Sequence, residues 1–255
     1  QQSEIPYYCI NQINMEKTVS EAIAYRRSVR RYDPNQQLNT TEVQNCIREA
    51  TLAPTSSNLQ LWEFYHITSP DTLKALSKAC FGQSAAGTAL QLVIPIVRKD
   101  LWRSRAAANL NFLTNQFEAQ ETRDAKKEQK TLKYYNKLVP TLYREFFGIF
   151  SFARKIVAFF IGLSRPMYRE VSRCDLRIIA HKSTALAAEN FMVSMAAKGM
   201  DTCPMEGYDS KRVKQILGLP KSAEISMIIG CGYRDKGGIY GPRFRIPFEE
   251  VYRAI

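Results

Sequence analysis

Three short apolar runs limit what this chain can become: LWEFYHIT at 61–68, the stretch 90–97, and EISMIIGCG at 224–232. Each has the length of a strand, is bounded by turn residues, and is too short for a typical buried helix. In the first run Trp62, Phe64 and His66 alternate with Leu61, Tyr65 and Ile67, so it presents two faces. The second is continuously apolar, which suits the centre of a sheet. Pro95 inside it removes a ladder donor and predicts a bulge or an edge position. Helical patterns separate the runs. That order places the chain in the α+β or α/β class. Its 255 residues fill one sizeable core and are too few for several catalytic domains. No internal repeat is visible.

Helix boundaries are marked in several places. Thr18 and Glu21 stand at capping-box spacing before Ala22, Ile23 and Ala24. A second helix is expected to open at Thr41, with Gln44 as its box partner and Val43, Cys46, Ile47 and Ala50 as its apolar stripe. Pro54 stops it, and the polar stretch Thr55-Ser56-Ser57-Asn58-Leu59-Gln60 follows. Ser69 and Pro70 read as the cap and first position of a helix through Cys80. An alanine-rich helix is expected from Asp175 to Lys198, closed by Gly199. Asp209 starts another, closed by Gly218 and Pro220. The tail from Gly232 to Pro247, rich in Gly and Arg, is expected to be extended.

Charge and composition narrow the chemistry. The formal net charge is +12, which favours anionic partners: a phosphorylated cofactor, a nucleic acid or an anionic membrane surface. Residues 98–177 hold 17 Lys/Arg against 8 Asp/Glu and so carry most of that charge. This region lacks a clear strand and is rich in aromatics, with an apolar patch from Phe146 to Leu163 broken by Arg154 and Lys155. No run of about 18 apolar residues is free of charge, which argues against a conventional membrane span. The basic stretch 123–137 raises nucleic-acid binding, but its alternating Lys and Glu fit a solvated helix and no recognised nucleic-acid motif accompanies it. The cysteines at 9, 46, 80, 174, 203 and 231 never form CxxC. They read as free thiols in a reducing, cytoplasmic compartment. With only His66 and His181, no zinc or copper spacing exists, and both read as structural or surface histidines. No basic-then-apolar leader is visible near Gln1, so no secretory signal is expected.

Taken alone, Arg26-Arg27-Ser28-Val29-Arg30-Arg31-Tyr32 is either a phosphate-binding cluster or a solvated basic face after a helix. The segment Ser56 to Gln60 reads by itself as a loop. Four separated segments together, however, resemble the flavin-dependent nitroreductase family. The Arg26–Tyr32 cluster resembles its N-terminal phosphate-binding segment. Ala53 to Trp62 resembles its Pro-Ser-x-x-Asn-x-Gln-x-Trp stretch. Asn190 to Cys203, followed by Pro204-Met205-Glu206-Gly207, resembles the central helix and the segment beside the flavin ring. Gly241-Pro242-Arg243-Phe244-Arg245 resembles the closing phosphate contact.

The resemblance implies a three-layer α+β fold with a central mixed, mainly antiparallel sheet and surrounding helices, forming an intertwined homodimer. It implies FMN at the subunit interface. Hydride then passes from NADH or NADPH through flavin N5 to a nitroaromatic, quinone or related acceptor. A non-enzymatic flavin-binding or sensing role is the alternative. Arg26, Arg27, Ser28 and Arg30 are expected to hold the phosphate, with Arg26 and Arg30 on one side and Arg27 turned elsewhere. Arg243 and Arg245 join them, Arg243 being favoured. Ser56, Asn58 and Gln60 are expected on the flavin's polar edge and polyol tail, Asn58 most firmly. Pro204, Met205, Glu206 and Gly207 run beside the ring, where Glu206 and Gly207 act through their main chain. No side chain is required as a general base. The link from Arg98 to Asp175 is longer than the family's usual one. Residues 98–174 are therefore expected to be an aromatic-rich helical insertion within one domain spanning 1–255. Its apolar patch is read as a lid or widened dimer contact, with peripheral membrane contact as the lesser alternative.

Overall fold

The structure is a computed structural model and describes residues 16–120 and 124–255. Cys9, Gln1 and the first residue of the basic stretch 123–137 lie outside the described residues. In chain order the elements are α1 (Val19–Tyr25), α2 (Thr40–Ala50), β1 (Trp62–Ile67), α3 (Pro70–Ala79), α4 (Ser84–Gly87) and β2 (Gln91–Val97). Then come α5 (Trp102–Glu118), α6 (Ala125–Lys133), α7 (Val139–Tyr143), α8 (Ile149–Ser164) and α9 (Arg173–Ala197). The chain closes with β3 (Asp201–Met205), α10 (Ser210–Ile216), β4 (Glu224–Ile225), β5 (Ile228–Gly232) and α11 (Phe248–Val251).

Local chemistry explains most of the boundaries. The Thr18–Glu21 capping box is present in both directions. α2 differs from expectation: Asn39, not Thr41, is its cap, and the Asn39 side chain accepts from the N–H groups of Thr41 and Glu42. Asparagine is as strong a cap as threonine and sits closer to the chain's entry into the helix. Pro70 opens α3 as expected, but the Ser69 side chain makes no capping bond. α9 begins at Arg173, two residues early, because Ser172 and Asp175 form a capping box with Asp175 at its third position. It ends where Gly199 adopts φ 75°, and the Met200 N–H bonds back to Met195 O at 2.9 Å. The Asp209 cap of α10 is also as expected.

The sheet runs β1-β2-β5-β3, with β4 also beside β2, and every strand pair is antiparallel. The expected mixed character reduces, among the described residues, to a single parallel bridge between Ser28 and Thr202. β3 lies where the sequence suggested a turn. It is short, polar at its start and interrupted by Pro204, which an outer strand tolerates. Pro95 is in a central strand, not an edge. The pairing register of β2 shifts by one residue between Val93↔Ile229 and Ile96↔Ile225, so the bulge lies on the facing segment. Ser226 there donates its N–H to Pro95 O at 3.0 Å. The same shift divides the expected strand 224–232 into β4 and β5.

Alternation along β2 sorts the core into two layers. Leu92, Ile94 and Ile96 pack with Ile228 against Leu76 and Ala79 of α3, Ala85 of α4 and Val213 of α10. Val93 on the other face packs with Ile229 and Cys231 against Val43, Cys46 and Ala50 of α2 and Phe191, Met192 and Met195 of α9. The sheet is thus the middle of three layers. A further cluster fastens the 98–174 region to this body. Trp102 and Tyr143 stack with ring centroids 5.9 Å apart, among Leu59, Leu61, Val97, Val139 and Leu176. The region is helical and aromatic-rich, and the α8 aromatics are exposed in the single chain.

One contact locks the N-terminal segment onto the sheet. Tyr32 is buried and its hydroxyl donates to Gly230 O at 2.8 Å. A Cβ at Gly230 would stand 2.7 Å from the Ala85 carbonyl oxygen, and one at Gly232 2.7 Å from the Tyr32 ring. Crowding, not a left-handed backbone, requires glycine at both places. Gly230→Ala should therefore destabilise the fold by roughly 1–3 kcal/mol. Urea unfolding should show a lower midpoint at unchanged slope; an unaltered midpoint would mean that the layers can part at this point without cost.

Candidate functional site

α1 ends at Tyr25, and Arg26 already has extended backbone, φ −56° and ψ 125°. A helical turn, the spacing that would have put Arg26 and Arg30 on one side, is therefore absent. The segment runs instead along β3: the Val29 N–H donates to Thr202 O at 3.1 Å and the Val29 side chain is fully buried. On its other side the Arg30 N–H donates to Gly238 O at 2.7 Å. Extended backbone still brings Arg26, Ser28 and Arg30 to one side, because alternate residues share a face.

The C-terminal tail closes over that side. Arg26, Arg27, Ser28 and Arg30 form one wall of a cavity of about 240 Å³, and Ile239 to Arg245 form the other. Arg27 was expected to point elsewhere, but it lines the same cavity and donates to Gly241 O at 2.6 Å. Arg243 donates to the carbonyl oxygens of Ala24 and Arg26 at 2.9 and 2.5 Å, so it straps the tail to the end of α1. Arg245 donates to Phe244 O. The Arg30 guanidinium lies 5.7 Å from the Tyr240 ring centroid. The cavity lining contains five guanidinium groups, the hydroxyls of Ser28 and Tyr240, and no carboxylate. Desolvation, then Arg245, Arg27 and Arg26, hold the Arg243 guanidinium below its ordinary value. Glu189, 3.7 Å from Arg26, offers that guanidinium a counter-charge and stands outside the lining. Such a donor set is suited to a compact, doubly charged anion such as a phosphate monoester.

β3 leads to the second expected segment. Pro204 is half-buried, Met205 is in the core, and Glu206 and Gly207 are exposed. The Gln83 side chain donates to Gly207 O at 2.5 Å and to Cys80 O at 3.0 Å, and so holds the turn. Nothing in the sequence singled out Gln83, since its role exists only through a contact 124 positions away. Tyr240 was likewise missed, although it adjoins the Gly-Pro-Arg-Phe-Arg motif.

Ser56, Asn58 and Gln60 do not line the arginine cavity. Ser56 and Asn58 belong to a short turn, and Ser57, Asn58 and Gln60 all have positive φ. The Asn58 amide donates to Asn109 Oδ1 at 2.7 Å, and Asn109 returns a bond to Asn58 O at 2.9 Å. Gln60 borders a separate cavity with Trp62, Phe64 and Arg105. An apolar-lined cavity of about 660 Å³ between α7 and α8 shares no residue with the arginine cavity. The two histidines have structural partners: His66 Nε2 is 2.7 Å from Gln91 Oε1 and His181 Nε2 is 3.1 Å from Glu224 Oε2. Among the described residues no cluster of three or more His, Cys, Asp or Glu is arranged for a metal.

The nitroreductase family model matches residues 23–233. NADH dehydrogenase of Thermus thermophilus is 29% identical over 228 residues, which is 89% of this chain and 90% of that protein. Protein DrgA of Synechocystis is 27% identical over 214 residues, 84% of this chain and 83% of DrgA. Among solved structures, an Exiguobacterium sibiricum protein crystallised in complex with FMN superposes with a TM-score of 0.64 at 21% identity, over 94% of this chain and 98% of that one.

Cys203 lies in β3 behind the arginine segment, and its chemistry can be judged. Burial raises its thiol above the usual value, against the pull of Arg30 and Arg26. Burial also pushes Cys46 and Cys80 up to about 11 and raises Cys231 well above its usual range. A protonated, buried thiol is a poor nucleophile. Cys174 is exposed at the start of α9. Brief alkylation of the native protein, mapped by mass spectrometry, should therefore mark Cys174 before Cys46, Cys80, Cys203 and Cys231. Labelling of Cys203 as fast as Cys174 would show that the β3 edge opens.

Proposed function

The chain belongs to the nitroreductase family, and we propose that it is an FMN-dependent oxidoreductase passing hydride from NADH or NADPH to a nitroaromatic, quinone or related small-molecule acceptor. The observation that carries this reading is the cavity with five guanidinium groups, the Ser28 hydroxyl and no carboxylate. A phosphate monoester would relieve the mutual repulsion of those cations with paired, charge-assisted hydrogen bonds. Its small volume favours the single phosphate of FMN, and the FMN complex of the Exiguobacterium protein supports the same choice.

When bound, the flavin supplies hydride transfer at its N5 position. The chain's own residues bind and orient. Arg26, Arg27, Ser28, Arg30 and Arg245 hold the phosphate, while Arg243 keeps the tail closed over it. The exposed main chain of Glu206 and Gly207, fixed through Gln83, meets the ring. Ser56, Asn58 and Gln60 are assigned to the flavin's polar edge from the second subunit of a homodimer, because in one chain they stand apart from the arginine cavity. Exposed Val19 and Ile23 of α1, Leu186 of α9 and Phe244, Ile246 and Phe248 of the tail supply apolar surface for that interface. The buried thiols suit a reducing, cytoplasmic setting.

Titration of apoprotein with FMN and with riboflavin tests the phosphate assignment. Arg26→Ala should raise the FMN dissociation constant by about 10–150-fold, the equivalent of a charge-assisted bond of roughly 1.5–3 kcal/mol. Riboflavin affinity, which lacks the phosphate contribution, should stay the same. An equal loss for both ligands would move Arg26 away from the phosphate, and no flavin binding by the wild type would overturn the function. Sedimentation at low micromolar concentration should give about twice 29.2 kDa; a flavin-loaded monomer that oxidises NAD(P)H would remove the shared site.

A further inference from the structure

The inward side of α8 mixes apolar groups, Phe150, Ala153 and Val157 on the cavity against α7, with polar anchors. Arg154 donates from Nε to Val171 O at 2.8 Å, from one terminal nitrogen to Arg144 O at 2.9 Å and Thr141 O at 3.2 Å, and pairs with Glu145. Ser151 donates to Glu145 at 2.5 Å and accepts from the Arg173 N–H at 2.8 Å. Ala158, one turn on, is buried. The outward side carries Ile149, Phe152, Ile156, Phe159, Phe160 and Leu163. Phe152 is 68%, Phe160 63% and Leu163 69% exposed, and Phe147 just before the helix is 91% exposed. In water this arrangement leaves a continuous apolar stripe uncovered, which marks a contact surface.

The charges around the stripe identify what covers it. No Asp or Glu occurs from Phe146 to Arg169. Lys155 is on the helix, Arg144 stands before it, and Arg165 and Arg169 follow it, all exposed. Arg169 also bonds to Gly162 O at 3.0 Å, which keeps its charge at the helix end. A second copy laid on this face would bring two such cation sets together, with only Glu170 and Asp175 at the edge to offset them. An anionic bilayer offers the complementary surface: acyl chains for the phenylalanines and headgroup phosphates for the flanking cations. Sixteen helical residues extend only about 24 Å, short of the roughly 30 Å hydrocarbon thickness. No helix among the described residues is long and apolar enough to cross a membrane. The helix would therefore lie along the surface. We propose that α8 is a membrane-surface anchor that seats its outward apolar stripe in an anionic phospholipid leaflet, with Lys155, Arg165 and Arg169 at the headgroups.

Flotation of the protein, as purified, with vesicles tests this independently of the reductase reading. Vesicles containing phosphatidylglycerol should carry the protein upward, and pure phosphatidylcholine should carry at least about tenfold less, since each Lys or Arg at an anionic surface is worth about fivefold. High salt should weaken the binding. Phe152→Ser combined with Phe160→Ser should abolish it, and Lys155→Glu should weaken it by about tenfold or more. Circular dichroism verifies that these surface variants are folded. Three results would overturn the proposal: no binding to anionic vesicles at low salt, full binding by the double variant, or equal binding to neutral and anionic vesicles. A double variant that sediments as a smaller assembly than wild type would assign the stripe to a second copy instead.

Discussion

Five guanidinium groups will not gather around a small cavity by themselves. At close range their repulsion outweighs the gain from any one side-chain contact. What holds them is neutral main-chain pairing beneath them. Val29 is locked to Thr202 on one side, Arg30 to Gly238 on the other, and buried Tyr32 anchors the end of the segment on Gly230. Gly238 is needed for that closeness, since a Cβ there would stand 2.4 Å from Arg31 O. Arg243 spends its own donors on the carbonyls of Ala24 and Arg26, so one cation of the cluster helps to fasten the rest. The backbone thus pre-organises a charge distribution that only an anion can relax.

The Ser56–Gln60 turn is held by different means. Left-handed backbone at Ser57, Asn58 and Gln60 is costly for residues other than glycine and persists only where the surroundings enforce it. Here the 98–174 region enforces it. Asn109 of α5 exchanges hydrogen bonds with Asn58, the Tyr134 and Ser57 hydroxyls lie 2.6 Å apart, and the Tyr135 hydroxyl donates to Ser57 O at 3.0 Å. The region is therefore more than an appendage to the core: through α5 and the π-helical segment Tyr134–Leu138 it supports a segment assigned to the cofactor.

The same region faces outward through α8. The Trp102–Tyr143 cluster packs Leu59 and Leu61, which flank the turn, against α5, α7 and α9, while α8 is held chiefly by the hydrogen bonds of Arg154 and Ser151.

Much of this was legible in the sequence because its signals are local. The Thr18–Glu21 box, Pro70 at a helix start and Gly199 at a helix end act within one turn of backbone, so neighbouring residues suffice to read them. The apolar runs 61–68 and 90–97 became β1 and β2 for the same reason. The Arg26–Arg30 and Arg243–Arg245 clusters were found as separate motifs, and the family resemblance, not their chemistry alone, assigned both to one phosphate. Whether they meet is a matter of tertiary structure, because more than 200 residues separate them and only the β3 edge and the tail's return bring them together. Strand β3 was hidden because its pairing with β5, not its own composition, makes Asp201–Met205 extended. The sequence also put Asn58 with the cofactor residues, while the folded chain ties it to Asn109 and away from the arginine cavity. The orientation of α8 was equally out of reach: its apolar letters were plain, but which side faced water depended on Arg154 finding Glu145, Thr141 and Val171 inside. Local preferences decide where elements begin and end; burial and hydrogen-bond completion among distant segments decide which faces meet and which remain open.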